Sequence, residues 1–214
     1  MKPWNHLAAE GLAEKIPHEL AEQMFAKMFS MFYHLHPGMS DELVNNIRKR
    51  CEVVRFKKRA VILDYNEVCH YCFFAHTGLV KAISVTEGIE QVSWFMGEDD
   101  IVIGVDSFYD QEPSEEQLIA LEDTDCIALH WDELQFIYGM HDDFNRVGRR
   151  LTEYYYRQAM RRTKWVGLPA AKRYQLLFEA YPKFMGRVPD AALASYLGIN
   201  KATLSRIKRG FRKK

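Results

Sequence analysis

Between Cys51 and Trp131 the apolar residues come in short runs that alternate with polar ones and are cut by turn formers. The runs Cys51–Arg55, Ala60–Leu63, Tyr71–His76, Leu79–Thr86, Gln91–Met96, Gln117–Glu122 and Asp125–Trp131 predict strands. Gly78, Glu87-Gly88, Gly97 and Gly104 punctuate them, and so many short strands predict a closed or sandwich-like β structure. On either side the period changes. Residues 24–50 are rich in Met and Phe and read as helical, with the apolar stripe as core. Residues 1–23 read as an N-terminal extension of helical tendency, to which the pattern assigns no function.

After the strands, no proline interrupts the chain from Asp132 to about Trp165. Phe144, Val147, Leu151, Tyr154, Tyr155 and Gln158 recur there at three- and four-residue steps, which predicts a long helix. Its first third could be a core helix of the preceding domain. A stripe of this length reads better as a linker that pairs with its own copy, making those six residues the expected dimer contacts. Leu168-Pro169 ends the helix, and Arg173, Tyr174, Leu176, Leu177 and Phe178 begin another amphipathic one.

The last patterned segment runs from Val188 to Arg209. Pro189 and Asp190 suit the first turn of a helix, and Leu193, Ala194 and Leu197 form its apolar face. Gly198 follows where a left-handed residue closes a helix, and Ile199 turns inward. Asn200 is a good N-cap for a second helix, whose Leu204 and Ile207 face the core. Its other residues are polar, small or basic. A short helix, a glycine turn and a basic-faced second helix is the arrangement that places side chains in a major groove.

Charge sharpens this picture. The net charge of zero divides into 11 Lys/Arg against 26 Asp/Glu over residues 1–145, and 18 against 3 over residues 146–214. A basic end of that kind is the electrostatic footprint expected for a polyanion partner. Hydrophobic content of 48% and charged content of 27% fit a globular chain. No stretch is apolar enough to span a bilayer, and the N-terminus does not read as a signal peptide. Four cysteines are too few for a disulfide scaffold, so a cytoplasmic location is expected.

The segment Tyr196-Leu197-Gly198-Ile199, followed by Thr203-Leu204-Ser205-Arg206-Ile207, resembles the recognition motif of the Crp/Fnr transcription regulators. Phe73 to Val80, Phe95 to Gly104 and Ala120 to Thr124 resemble that family's cyclic-nucleotide-binding β-roll, so the resemblance covers about residues 45–214. It implies an α+β chain: a β-roll sensor domain (a jelly-roll-like double-stranded β-helix, residues 24–131), a dimerisation helix (132–166) and a winged helix-turn-helix (167–214). It implies double-stranded DNA, a second copy and RNA polymerase as partners, with no membrane. Lys201, Ala202 and Arg206 would meet base edges, and Asn200, Thr203 and Ser205 phosphates. Arg206 and Lys201 suit guanine, whereas Ala202 offers at most a methyl contact to thymine. Lys208 and Arg209, with Arg212, Lys213 and Lys214, would set the salt dependence.

The family's effector pocket maps onto Gly104, Val105, Asp106, Ser114 and Glu115. Val105 stands where nucleotide-binding members carry a ribose-binding Glu, and no Arg-Ser pair follows. Residues 82–145 contain no Lys or Arg and 17 Asp/Glu, a field that repels phosphate. The expectation is therefore a regulator without cofactor or metal, whose effector is not a cyclic nucleotide bound in the usual way. The alternative is a cyclic-nucleotide-responsive activator of the same architecture. Cys69 and Cys72, at i and i+3 of an expected strand, would point to opposite faces and form no metal or redox pair. His34, His36, His130 and His141 read as surface or satisfied core residues. The hydrolase, P-loop, zinc-protease and dinucleotide motifs are absent, so no enzyme is expected.

Overall fold

The computed structural model describes residues 16–211, so most of the expected N-terminal extension, and Arg212, Lys213 and Lys214, lie outside the described residues. Helices α1 (His18–Leu35) and α2 (Asp41–Arg50) come first, separated at His36-Pro37-Gly38, so the expected 24–50 helix is two. Ser40 caps α2 by accepting a hydrogen bond from the Leu43 N–H at 3.2 Å.

Eight strands follow: β1 (Glu52–Phe56), β2 (Val61–Leu63), β3 (Tyr71–Thr77), β4 (Val80–Thr86), β5 (Ile89–Met96), β6 (Ile101–Val102), β7 (Glu116–Ala120) and β8 (Thr124–His130). They form two antiparallel sheets of four, ordered β1-β8-β3-β6 and β2-β7-β4-β5. A short helix, α3 (Val105–Asp110), separates β6 from β7. The seven expected strands are present within a few residues. The two-residue β6 is not among the expected strands, since so short a run has no readable period.

Strand alternation distributes side chains between two cores. Val54, Phe56, Phe73, Ala75, Val102, Cys126 and Ala128 fill the interior of the roll. The residues between them, Phe74, Ile127 and Leu129, point the other way and are covered by α1 and α2. Hence β8 is buried on both faces over nearly its whole length and reads as a continuous apolar run.

The expected continuous helix over 132–166 is broken. Helix α4 (Trp131–Met140) ends at His141, Asp142–Phe144 form a 3-10 turn, and α5 runs from Asn145 to Thr163. Phe144 causes the break: its ring turns inward, 5.8 Å from Phe32 and 5.4 Å from Tyr138. The turn is held by His36 Nε2, 3.1 Å from Asp143 Oδ2, and by His141 Nε2, 3.1 Å from Asn46 Nδ2.

Beyond α5 come α6 (Ala170–Ala180), a 3-10 turn (Pro182–Phe184), α7 (Asp190–Tyr196) and α8 (Lys201–Phe211). The wing implied by the resemblance is not found: residues 167–211 carry helices and turns but no strand, since Lys183 to Pro189 are taken up by the 3-10 turn and a short coil. The core of this helical unit, including Tyr174, Leu177, Leu193, Leu197 and Leu204, continues into Leu79, Val92 and Phe95 of the roll.

Candidate DNA interface and effector region

Helices α7 and α8 are joined through Gly198, whose φ of +60° is the left-handed conformation the turn needs. The Ile199 N–H donates to the Ala194 carbonyl at 3.0 Å, turning the chain back over α7. Asn200 then caps α8, its Oδ1 accepting from the Thr203 N–H at 2.8 Å. Leu204 is fully buried and holds α8 against α7. With that side fixed inward, Lys201, Ala202, Ser205, Arg206 and Arg209 are all exposed along the opposite side. The Arg206 guanidinium donates to Thr203 Oγ1 at 3.2 Å, which orients it along the helix. Lys208 differs from this expected set. It is half-buried and paired with Asp190 at the start of α7, so its charge is already partly neutralised.

Among the expected pocket residues, Gly104 and Ser114 do meet. A Cβ on residue 104 would lie 3.3 Å from Ser114 Oγ and overlap Leu63. Ser114 is buried, however, and its hydroxyl is committed to the Glu116 backbone, donating to the carbonyl at 2.8 Å and accepting from the N–H at 3.1 Å. Val105, Asp106 and Glu115 are exposed on α3 and the following loop. The carboxylate that does turn inward is Glu116, which accepts from Ser93 Oγ at 2.8 Å. Burial raises its pKa, Asp106 raises it further, and Arg162 opposes the rise.

Arg162 itself lies at the junction of roll, α5 and helix-turn-helix. Its guanidinium carbon is 4.5 Å from the Trp94 ring centroid and 4.4 Å from that of Tyr196. Nothing in the sequence pattern pairs Trp94, Arg162 and Tyr196, which sit on three different elements. A second cation, Arg187, fastens the same junction. It reaches Glu98 at 2.7 Å, Glu122 at 2.6 Å and the Gly78 carbonyl at 3.1 Å.

The expected dimer stripe largely faces its own protomer. Phe144 and Val147 are buried at 4% and 0% exposure, and Leu151 packs on the same core. The Tyr155 hydroxyl accepts from the Ile101 N–H at 2.7 Å, and the Tyr181 hydroxyl donates to Gln158 Oε1 at 3.2 Å. Phe144 and Val147 therefore leave no surface for a second copy, because the α1–α2 layer and the roll cover them first. Of the six, only Tyr154 is well exposed.

The four cysteines are free thiols. Burial pushes Cys69 up to about 11 and Cys72 to about 12, and raises Cys51 and Cys126 as well. Cys69 accepts from the Gly104 N–H and Cys72 donates to the Leu129 carbonyl, so both act as small core residues. No group of three or more metal-ligating side chains occurs among the described residues. No helix among them is long and apolar enough to cross a membrane.

Residues 53–140 match the family model of the cyclic nucleotide-binding domain. Comparison with curated protein sequences finds no match. Among solved structures, the chain is similar to a regulator ascribed to the Crp/Fnr family from Eubacterium rectale, with a TM-score of 0.66 and 14% identity over 85% of this chain and 87% of that one. It is similar to FixK2 from Bradyrhizobium japonicum (TM-score 0.64, 19% identity, 76% and 85% covered). It is also similar to CLP, the c-di-GMP-responsive global regulator of Xanthomonas campestris (TM-score 0.61, 14% identity, 81% and 92% covered). Residues 53–140 thus match the cyclic nucleotide-binding domain family, within a chain that has the fold of the Crp/Fnr transcription regulators.

Proposed function

We propose that the protein is a homodimeric, sequence-specific DNA-binding transcription regulator of the cytoplasm, not an enzyme, and that RNA polymerase is among its partners. The observation that carries this reading is the exposed side of α8. Lys201, Ala202, Ser205, Arg206 and Arg209 stand together on a capped helix whose other side is locked in the core. A helix presented this way can enter a major groove, with Arg206 and Lys201 donating to guanine O6 and N7. Two copies would present two such helices to a two-fold site.

The experiment is selection of an operator from random DNA, followed by titration of the wild type and Arg206→Ala at fixed salt. The variant is expected to lose about 1–3 kcal/mol per half-site on the operator and much less on random duplex. Equal losses on both would reduce Arg206 to a phosphate contact, and failure to enrich any operator would remove the reading.

For the effector, the roll supports something other than a cyclic nucleotide held in the usual manner. The inward group beside Ser114 is the Glu116 carboxyl, and a phosphate placed there would meet like charge. The match of residues 53–140 to the cyclic nucleotide-binding family favours the second reading, a nucleotide-responsive activator. Calorimetric titration with cyclic AMP and cyclic GMP separates the two. Micromolar heats with tightened operator binding would establish the second.

A further inference from the structure

The outward side of α5 has a repeat of its own. Arg150, Tyr154, Arg157 and Arg161 follow at steps of four, three and four, the spacing of a heptad seam, and all four are exposed. Together with Arg149, Glu153 and Gln158 they line an open groove of about 440 Å³ along the helix. The one acidic residue of α5, Glu153, is taken by Arg149 at 2.6 Å. Arg150, Arg157 and Arg161 have no carboxylate partner among the described residues.

The inward side of α5 is occupied by its own protomer, so a two-fold pairing through this helix uses an exposed side: this basic stripe, or the neighbouring one that carries Tyr156 and Met160. A parallel seam along the basic stripe sets each position against its copy, which brings Arg150, Arg157 and Arg161 opposite Arg150, Arg157 and Arg161. Six guanidinium groups along one seam repel each other unless something between them is negative. Arginine forks are suited to bridging phosphate oxygens in pairs, and the exposed Tyr154 ring in their midst offers a stacking surface. The roll, by contrast, has no Lys or Arg from residue 82 onward, whereas α5 carries a cluster of them.

We propose that the outward sides of two α5 helices together form a binding site for a multiply charged, phosphate-bearing anion, and that the dimer closes around it. The site is incomplete in one copy. This deepens the regulator reading, since it rests on the dimer assumed there, and it assigns a ligand class to the seam rather than to the roll.

The test is sedimentation of the full chain in dilute chloride buffer, alone and with inorganic tripolyphosphate or ATP. The expected result is self-association tightened by about tenfold or more in either anion. The variant Arg150→Gln/Arg157→Gln/Arg161→Gln, whose changes are all at exposed positions, is expected to keep its circular dichroism and lose that response. A stronger effect of ATP than of tripolyphosphate would assign base stacking to Tyr154; equal effects would assign phosphate alone. A dimer equally tight with and without the anions overturns the proposal, whether apolar contacts or carboxylates of the second copy hold it. So does a response that survives in the triple variant. Operator binding is measured in parallel. A chain that dimerises on tripolyphosphate but selects no operator removes the regulator reading alone; one that selects an operator but ignores the anions removes the anion site alone.

Discussion

The two sides of α5 repeat at the same helical steps and have opposite fates. The inward side meets a different element at each turn: the helical core at Val147 and Leu151, the β6 backbone at Tyr155, the second 3-10 turn at Gln158, and Trp94 with Tyr196 at Arg162. A second stripe, Arg150, Tyr154, Arg157 and Arg161, stays exposed, with Tyr154 edge-on to the neighbouring Tyr155 ring. An apolar stripe thus says that a helix side will be buried, but not by which surface. The protomer's own roll claims the apolar stripe, and what is left exposed is a basic stripe beside Tyr156 and Met160.

The largest expected effect comes from putting a charge on the inward side. Val147→Glu should cost about 3–5 kcal/mol, since it leaves an unpaired charge in a dry core. Denaturant unfolding checks it, and a stable monomer would return Val147 to the dimer seam. Arg187→Ala comes next. It removes hydrogen bonds to two carboxylates and the Gly78 carbonyl that tie the helical unit to the roll beside the last inward turn. A loss of about 2–3 kcal/mol is expected, and an unchanged melting temperature would show the apolar junction suffices alone.

A smaller effect has a pH signature. Asp100, facing the Tyr155 hydroxyl and accepting from the Gly97 N–H, is raised to about 6, first by burial and then by Asp99 and Glu98. The folded protein therefore holds a proton that the unfolded chain has released. Stability from this group is present below about pH 4 and is lost as pH rises to about 6. Asp100→Asn should remove that slope, gaining on the order of 1–2 kcal/mol at pH 7 and nothing at pH 4. Parallel wild-type and variant pH curves would place the proton elsewhere. Smallest of all, Arg157→Ala on the outward side should change monomer stability by less than about 0.5 kcal/mol. A larger loss on urea unfolding would mean that the outward side is packed after all.

The strands were legible because alternation survives wherever one face of a sheet has a single environment. The helix-turn-helix was legible because Gly198, Asn200 and Leu204 each have a local reason to be where they are. The break in the long linker at Phe144 is not legible in the sequence, because a 3-10 turn needs no proline when an aromatic ring packs into a neighbouring core. The family pocket positions Val105, Asp106 and Glu115 lie exposed on α3 and its loop, while Glu116 one residue later accepts from Ser93, a pairing that sequence spacing does not show.

By itself the sequence determined the order of elements, the split of charge between the two ends and the basic side of α8, because each depends on residues a few positions apart. Only the tertiary structure decided which side of α5 remains free, which carboxylate enters the roll, and that Arg162 and Arg187 join the helical unit to the strands. Those outcomes depend on which of several competing surfaces reaches a side chain first, and that competition is settled between segments up to about a hundred residues apart.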